Sequence, residues 1–428
     1  MNAGVHRIEG VTDPISLPRL VATTREIAPD DLLLSADPAN PLTWIRRGDG
    51  LVAAGPDLLH IDVVEDGRLE ALADLWRAIA QATDVDDAVG LPGTGLVGFG
   101  AFAFDECSAA PSTLIVPTVV LGRRAGRAWV TRIRVADSDA PDPAFGPTPL
   151  GAEWSAAIGP GAMDPEAHAA AVGEALAAID AGEVSKVVVA RDIVGTIPAG
   201  ADLRRLVRAL ATDYPDTWVY AVDGSVGASP ETLVTVRGGE VTARVLAGTR
   251  PRGADADEND EAPFALAASE KDRAEHRFAV ESVVEALRPH TSELEAPDEP
   301  FTLELPNLWH LATDVRGALA NGASALDLVR ELHPTAAVGG TPQKAAIELI
   351  RRIEKSDRGR YAGPVGWIDG DGDGEWAIAL RGAQFGAADG ETRSVTAHAG
   401  GGIVAGSVAE TELLETRVKF RPIVDALA

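Results

Sequence analysis

Hydrophobic and polar positions along this chain change period from segment to segment, and each period predicts an element. "KVVVAR", beginning at Lys186, carries an unbroken β-branched run, the pattern of a strand covered on both faces. Before it, "DPEAHAAAVGEALAAIDAG" has helical spacing, with Asp164 suited to the N-cap, Pro165 to the first helical position and Gly182 to the stop. "LRRLVRALAT" predicts a helix and "TWVYAV" a strand. "TLVTVRGGEVTARVL" predicts a hairpin turning at Gly238-Gly239. "EAPFALAASEKDRAEHRFAVESVVEAL" predicts one long helix, and "PQKAAIELIRRIEK" another with Pro342 at its start. "GPVGWIDGDGDGEWAIALRGAQF" predicts a hairpin, "TRSVTAHAGGGIV" a strand and "ETELLETRVKFRPIVDAL" a closing helix. Upstream, "LTWIRRG", "LVGFGAFAF" and "STLIVPTVVLGRR" read as strands. Two stretches read as loops: "SDAPDPAFGPTPLG" at 138–151, the clearest break, and "TSELEAPDEP" at 291–300. Tight-turn strands mixed with separate helices predict an α+β fold with antiparallel sheet.

Composition narrows the class. The 428 residues are 46% apolar, which suits a globular chain with a large core. The formal net charge of −27 argues against nucleic acid and against an anionic membrane surface. No apolar run approaches the roughly 18 residues of a membrane helix. The start, "MNAGVHRIEGVTDP", lacks the plan of a signal peptide, and the single Cys107 cannot form an internal disulfide, so a cytoplasmic location is expected.

Two motifs fail on context. "GTGLVG", Gly93 to Gly98, matches G-x-G-x-x-G, but no strand precedes it and a strand, not a helix, follows. "DGDGDGEW" begins like a calcium loop at Asp369, Asp371 and Asp373, but Leu380 stands where the closing glutamate is needed, so a hairpin turn is expected.

The candidate chemistry is carried by charged residues in apolar surroundings. Lys186 beside its apolar run is costly to desolvate unless it is paired or loses its proton. Glu231 in "GASPETLV" sits between a turn and a strand, where a raised pKa would suit a general acid. Asp272 and Glu275 share a helix face, with His276 adjacent. Glu412, Glu415 and Lys419 fall on one stripe of the closing helix. Two carboxylate pairs facing one another would suit magnesium, and apart they would be solvated helix faces. Singly, Lys186 also reads as a snorkelling strand-end lysine and Glu231 as a surface turn residue.

In order along the chain, "KVVVAR", "GASPETL", "LAGTRPRG", "SEKDRAEH", "LWHLATDVRG", "HPTAAVGGTP", "YAGPVGW", "WAIALRGA" and "AGGGIVAGSVAETELLETRVK" resemble the chorismate-utilising enzymes, most closely the isochorismate synthases. The resemblance covers about 165–420, with "FGAFAFDE" an upstream echo. It implies one α+β domain over 1–428: two packed, mostly antiparallel sheets flanked by helices, strands of 1–150 completing the fold, and a catalytic region at 160–425. It implies Lys186 as the base that activates water and Glu231 as the acid. Glu275 and Glu415 would ligate Mg2+, supported by Asp272 and Glu412. Tyr361 and Arg381 would hold the enolpyruvyl carboxylate, with Lys419, Gly400 and Gly402 near a carboxylate-binding end, His310 beside the ring, and Gly248 and Thr249 lining the pocket. Lys186, Arg381, Lys419 and magnesium would together make a positive pocket. Ala337, in the "HPT-x-A" form, and Lys186 point to isochorismate synthase. The alternatives are a salicylate synthase, which also eliminates pyruvate, and a non-catalytic chorismate-binding relative. Gly401 stands where the family often has alanine. The expected partner is the small molecule chorismate, the expected state a monomer or homodimer, and the expected destination menaquinone or a catechol siderophore.

Overall fold

The computed structural model describes residues 6–9, 17–28, 30–138, 141, 143–251, 256–305 and 308–428; the side chains of Thr249 and Glu275 lie outside the described set. Among the described residues, one sheet has eleven strands and the other thirteen. Pairing is antiparallel except at two peripheral pairs, His6–Glu9 with Asp57–Val63 and Leu20–Ile27 with Asp84–Asp87. The sheets face each other across one core, where Trp44 and Trp129 of the larger sheet join Phe99, Trp367 and Trp376 of the smaller. The outer face of the larger sheet is covered by the helices Arg204–Asp213 and Ala409–Leu427, with Val207, Leu210, Phe420 and Ile423 buried against it.

The first third of the chain is woven into both sheets. Thr43–Arg46 pairs with Trp218–Val222 in the larger sheet, and Val97–Ala101 with Pro364–Asp369 in the smaller. The proline-rich break near 138–151 is likewise anchored: buried Arg204 donates to Thr148 Oγ1 (2.7 Å) and to the Pro149 carbonyl (3.0 Å). One domain results.

Several elements form as their sequences dictate. Asp164 caps the helix Pro165–Asp180 by accepting from the Ala167 N–H at 2.8 Å. Gly238 and Gly239, at φ 59° and 80°, make the left-handed turn of the hairpin Thr232–Arg237/Glu240–Pro251, a backbone that glycine adopts without strain. The failed motifs meet each other: the Gly93 N–H donates to Asp369 Oδ2 (2.9 Å), and Asp369 also accepts from the Asp371 and Asp373 N–H groups inside its hairpin turn.

Three expectations are corrected. "STLIVPTVVLGRR" is two strands, Ser112–Pro117 in the smaller sheet and Val119–Arg124 in the larger, with Thr118 between them bonded to the Pro56 carbonyl. The long helix is broken into Ala256–Ala268 and Glu270–Leu287, because Ser269 caps the second by accepting from the Asp272 N–H. "TSELEAPDEP" begins with a strand, Thr291–Glu295, whose polar side chains suit its place at the sheet edge.

Candidate active site

The chain crosses between the sheets at two places that line one cleft. Ser225–Ser229 belongs to the larger sheet and Thr232–Arg237 to the smaller, so Pro230-Glu231 is a crossing; Gly374–Ile378 and Gly382–Asp389 are divided in the same way, so Leu380-Arg381 is the other. The crossings are tied together. Ser229 Oγ donates to the Ile378 carbonyl (2.6 Å), and the Ile378 N–H donates to the Glu231 carbonyl (3.1 Å). Arg381 has φ 53°, a left-handed backbone unusual for a side chain of this size. The cleft between them has a volume of about 400 Å3.

Lys186, Glu231, Gly248, Asp272, His310, Ala337, Tyr361, Arg381, Gly400, Gly402, Glu412, Glu415 and Lys419 all line this cleft. The two remaining candidates, Thr249 and Glu275, have side chains outside the described residues; their backbones lie in the strand Glu240–Pro251 and the helix Glu270–Leu287.

Each segment reaches the cleft for a local reason. Lys186 opens the strand Lys186–Pro198, and its side chain passes over the neighbouring strand Thr392–Ile403, where a Cβ on Gly402 would stand 3.0 Å from Lys186 Cε. A Cβ on Gly401 would meet Glu412 Oε2 at 3.0 Å and Glu415 Oε1 at 3.6 Å, so two carboxylates of the closing helix converge beside that position. Lys419 pairs with Glu415 and donates to the Gly400 carbonyl (2.9 Å). The glycine run thus makes room for the lysine and for the carboxylates. Gly248, at φ 77°, sits at a register shift opposite His310's strand, and a Cβ there would come 3.2 Å from Asp272 Cβ, so the glycine lets the Asp272 helix approach the sheet. Tyr361 stacks on His398, ring centroids 5.3 Å apart. His276 is no part of the cleft: its ring bonds Thr313 Oγ1 (2.8 Å) and the Ala247 carbonyl (3.2 Å), pinning its helix to the sheet.

Electrostatics separates the charged groups. Burial pushes the Glu231 carboxyl up to about 7, against the pull of Arg381, Lys186 and Lys419. Burial, with Lys419 and Arg381 nearby, pushes His310 down to about 4, so it is neutral at pH 7. Burial would raise Glu415, but the Lys419 ammonium and Arg381 hold it below the ordinary carboxylate range. Burial lowers Lys419 and Arg381 from their usual values. Among the described residues Lys186, Arg381 and Lys419 share the cleft with Glu231 and with the carboxylates Asp272, Glu412 and Glu415, so the positive pocket expected of the three basic residues together with magnesium depends on the ion.

The motif reading missed Leu246, Val338, Leu380 and Thr411, which complete the walls. They are ordinary apolar or hydroxyl residues, and only their position beside the motifs could have marked them. A second polar cluster, His60, Asp62 and Asp223, lies away from the cleft. It is balanced internally: Asp57 and Asp62 push His60 up to about 9, Asp62 pairs with Arg7 (2.8 Å) and Asp223 with Arg360 (2.7 Å).

The profile of the family described as Chorismate binding enzyme matches residues 150–428. A protein of Mycobacterium tuberculosis (strain H37Rv), carrying the provisional name isochorismate synthase MenF, is 40% identical over 350 residues, 78% of this chain and 87% of its own. Isochorismate synthase DhbC of Bacillus subtilis is 39% identical over 276 residues, 62% of this chain and 68% of that one. The crystal structure of DhbC from Bacillus anthracis superposes with a TM-score of 0.74 at 30% identity, covering 92% of this chain and 98% of that one.

Proposed function

Because this chain belongs to the chorismate-binding enzyme family, we propose that it is an isochorismate synthase, which isomerises chorismate to isochorismate. The observation that carries the reading is the presence of Lys186 and Glu231 in one cleft with Arg381 and Lys419. The names of the relatives support the same substrate and product.

In the reaction, Lys186 takes a proton from water as its oxygen bonds to C2. The C1–C2 double bond shifts to C1–C6, the C5–C6 double bond shifts to C4–C5, and the C4–O bond breaks. Glu231 gives its proton to the departing hydroxyl. One water enters and one leaves, so the change is an isomerisation. Glu231 suits the acid role because a carboxyl with a pKa of about 7 is substantially protonated near neutrality. Arg381 offers a planar fork to a carboxylate. Tyr361 lines the cleft near Arg381, and His310, being neutral, brings no charge next to the ring.

The residues present fit magnesium. Glu412 and Glu415 converge beside Gly401 and Asp272 lines the same cleft, an all-oxygen set that suits a hard cation keeping some of its waters. The Lys419 ammonium already sits against Glu415, so this end of the cleft accepts positive charge. Glu412, Glu415 and Asp272 would hold the ion, with Glu275 expected to join them. When bound, magnesium supplies positive charge to the ring carboxylate. With Lys186 as base and Glu231 as acid both uncharged, a substrate with two carboxylates meets Arg381 and Lys419 but also Asp272, Glu412 and Glu415, and needs that added charge.

The test is a product assay: incubate the protein with chorismate, with and without magnesium, and separate the products by chromatography. The reading predicts magnesium-dependent isochorismate from the wild-type protein and roughly 10²–10⁴-fold less from Lys186→Ala. Salicylate and pyruvate as the main products would replace it with the salicylate synthase reading.

A further inference from the structure

We propose that Glu354 and Arg358, neither of which lines the cleft, are positioning residues that hold the Lys186 strand in register with the opposite wall; this rests on the isochorismate synthase reading. Along one edge, the strand Lys186–Pro198 is paired continuously with Thr392–Ile403 from Val187 to Pro198. Along the other edge its neighbours are interrupted. Gly340–Thr341 pairs only at Lys186 and Val187, the Val188 N–H reaches the Gly339 carbonyl (2.9 Å), and the next strand, Ala157–Pro160, begins opposite Ile193. The gap leaves the Val188 carbonyl and the Ala190 N–H facing the protein interior. A peptide group buried there without a partner would be costly.

The ion pair fills that gap as a strand would. Glu354 Oε1 accepts from the Ala190 N–H (2.8 Å), and Arg358 Nη2 donates to the Val188 carbonyl (2.9 Å). The two side chains are joined through both carboxylate oxygens, at 2.6 and 2.9 Å, and both are buried. Arg358 Nη1 donates to the Val338 carbonyl (2.9 Å), so the same guanidinium grips the segment that brings Ala337 and Val338 to the cleft. Its face lies 4.3 Å from the Phe104 ring centroid, and Tyr361 follows three residues on, its N–H bonded to the Arg358 carbonyl (2.9 Å). One buried fork thus connects the wall carrying Lys186 with the walls carrying Ala337 and Tyr361. Arginine is required because a single planar group must serve two carbonyls and a carboxylate at once.

The test uses the double variant Glu354→Gln/Arg358→Met, which removes the fork without leaving a buried unpaired charge. Two quantities are measured in the full chain: steady-state kinetics with chorismate and magnesium, and amide hydrogen exchange by mass spectrometry. Exchange is expected to accelerate in peptides covering 186–190 and 337–339 while the rest of the core stays protected. With it, kcat falls roughly 10- to 100-fold, the scale of a displaced reacting group, while KM moves less than about threefold because Arg381 and Lys419 are held by other segments. Unchanged exchange in those peptides, or faster exchange with kcat unaltered, overturns the positioning role. A parallel loss of protection everywhere assigns the pair to global stability and overturns it too. If the wild-type protein does not isomerise chorismate, the function reading fails, and the exchange data alone decide whether the pair holds these segments in register.

Discussion

Glu231, half-buried at the cleft, and Glu375, fully buried, stand at neighbouring strands of the smaller sheet: Thr232 faces Ala377 and Thr235 faces Glu375. Their pKa values move in opposite directions. Glu375 accepts from Trp44 Nε1 (2.9 Å), Trp367 Nε1 (3.3 Å), Arg124 Nη2 (2.9 Å) and Arg237 Nε (2.9 Å). Burial alone would raise its pKa, yet Arg124 and Arg237 hold it below the ordinary range. Among the described residues no hydrogen-bond donor reaches the carboxylate of Glu231; Arg381, Lys186 and Lys419 act on it only through charge, and burial prevails, to about 7. Burial therefore does not decide what a carboxylate is for. A saturated carboxylate pins the fold, and an unsaturated one facing a cleft keeps a proton to give away.

The largest effect expected is catalytic. Glu231→Gln and Lys186→Ala should each lower kcat by roughly 10²–10⁴-fold, the usual scale for removing a general acid or base, with no decrease in urea midpoint. Assays of isochorismate formation beside denaturation curves check both halves. Glu375→Gln should invert the pattern. Leaving two guanidinium groups and two indoles short of their acceptor should cost about 3 kcal/mol, near the lower end for a broken buried pair because Arg237 is half-exposed. Turnover per folded molecule should be unchanged, and a variant as stable as the wild type would break the comparison.

The pair should also differ in the sign of its pH dependence. Glu231 has a folded pKa above its unfolded value, so between roughly pH 4.3 and 7 the folded state holds more protons and stability declines as pH rises through that window. Glu375 is depressed in the folded state, so its contribution is present above the unfolded pKa and is lost as pH falls through the folded one. Stability-versus-pH curves of the two Gln variants, subtracted from wild type, should slope in opposite directions. The kcat of the wild type should fall above about pH 7 as Glu231 loses its proton.

The smallest effect is steric. Gly402→Ala puts a Cβ 3.0 Å from Lys186 Cε, and the flexible lysine must yield by a few tenths of an ångström. A decrease in kcat of about tenfold or less is expected, with the melting temperature unchanged.

The sequence carried the two kinds of carboxylate unequally. Glu231 was legible because its turn motif, and those around Lys186 and Arg381, are local and resemble a known family. Glu375 was invisible because its partner Trp44 is 331 residues away, and no spacing along the chain encodes that meeting. Alternation marked "STLIVPTVVLGRR" as extended but could not tell that Thr118 hands the chain from one sheet to the other. The single long helix was overread because helical spacing continues across Ser269, and only the cap bond to the Asp272 N–H shows the break. The carboxylate pairs of two helices were legible from their spacing, and the cleft brings Asp272, Glu412 and Glu415 together.

The central claim, that Glu231 keeps its proton near neutrality, is tested most directly by titrating that carboxyl. Carbon-13 NMR of protein labelled at the glutamate carboxyl, compared with Glu231→Gln, isolates its signal. The account predicts a midpoint near 7 in the wild type that is absent from the variant. A midpoint near the ordinary glutamate value of about 4.3 would contradict it and leave the cleft without its acid.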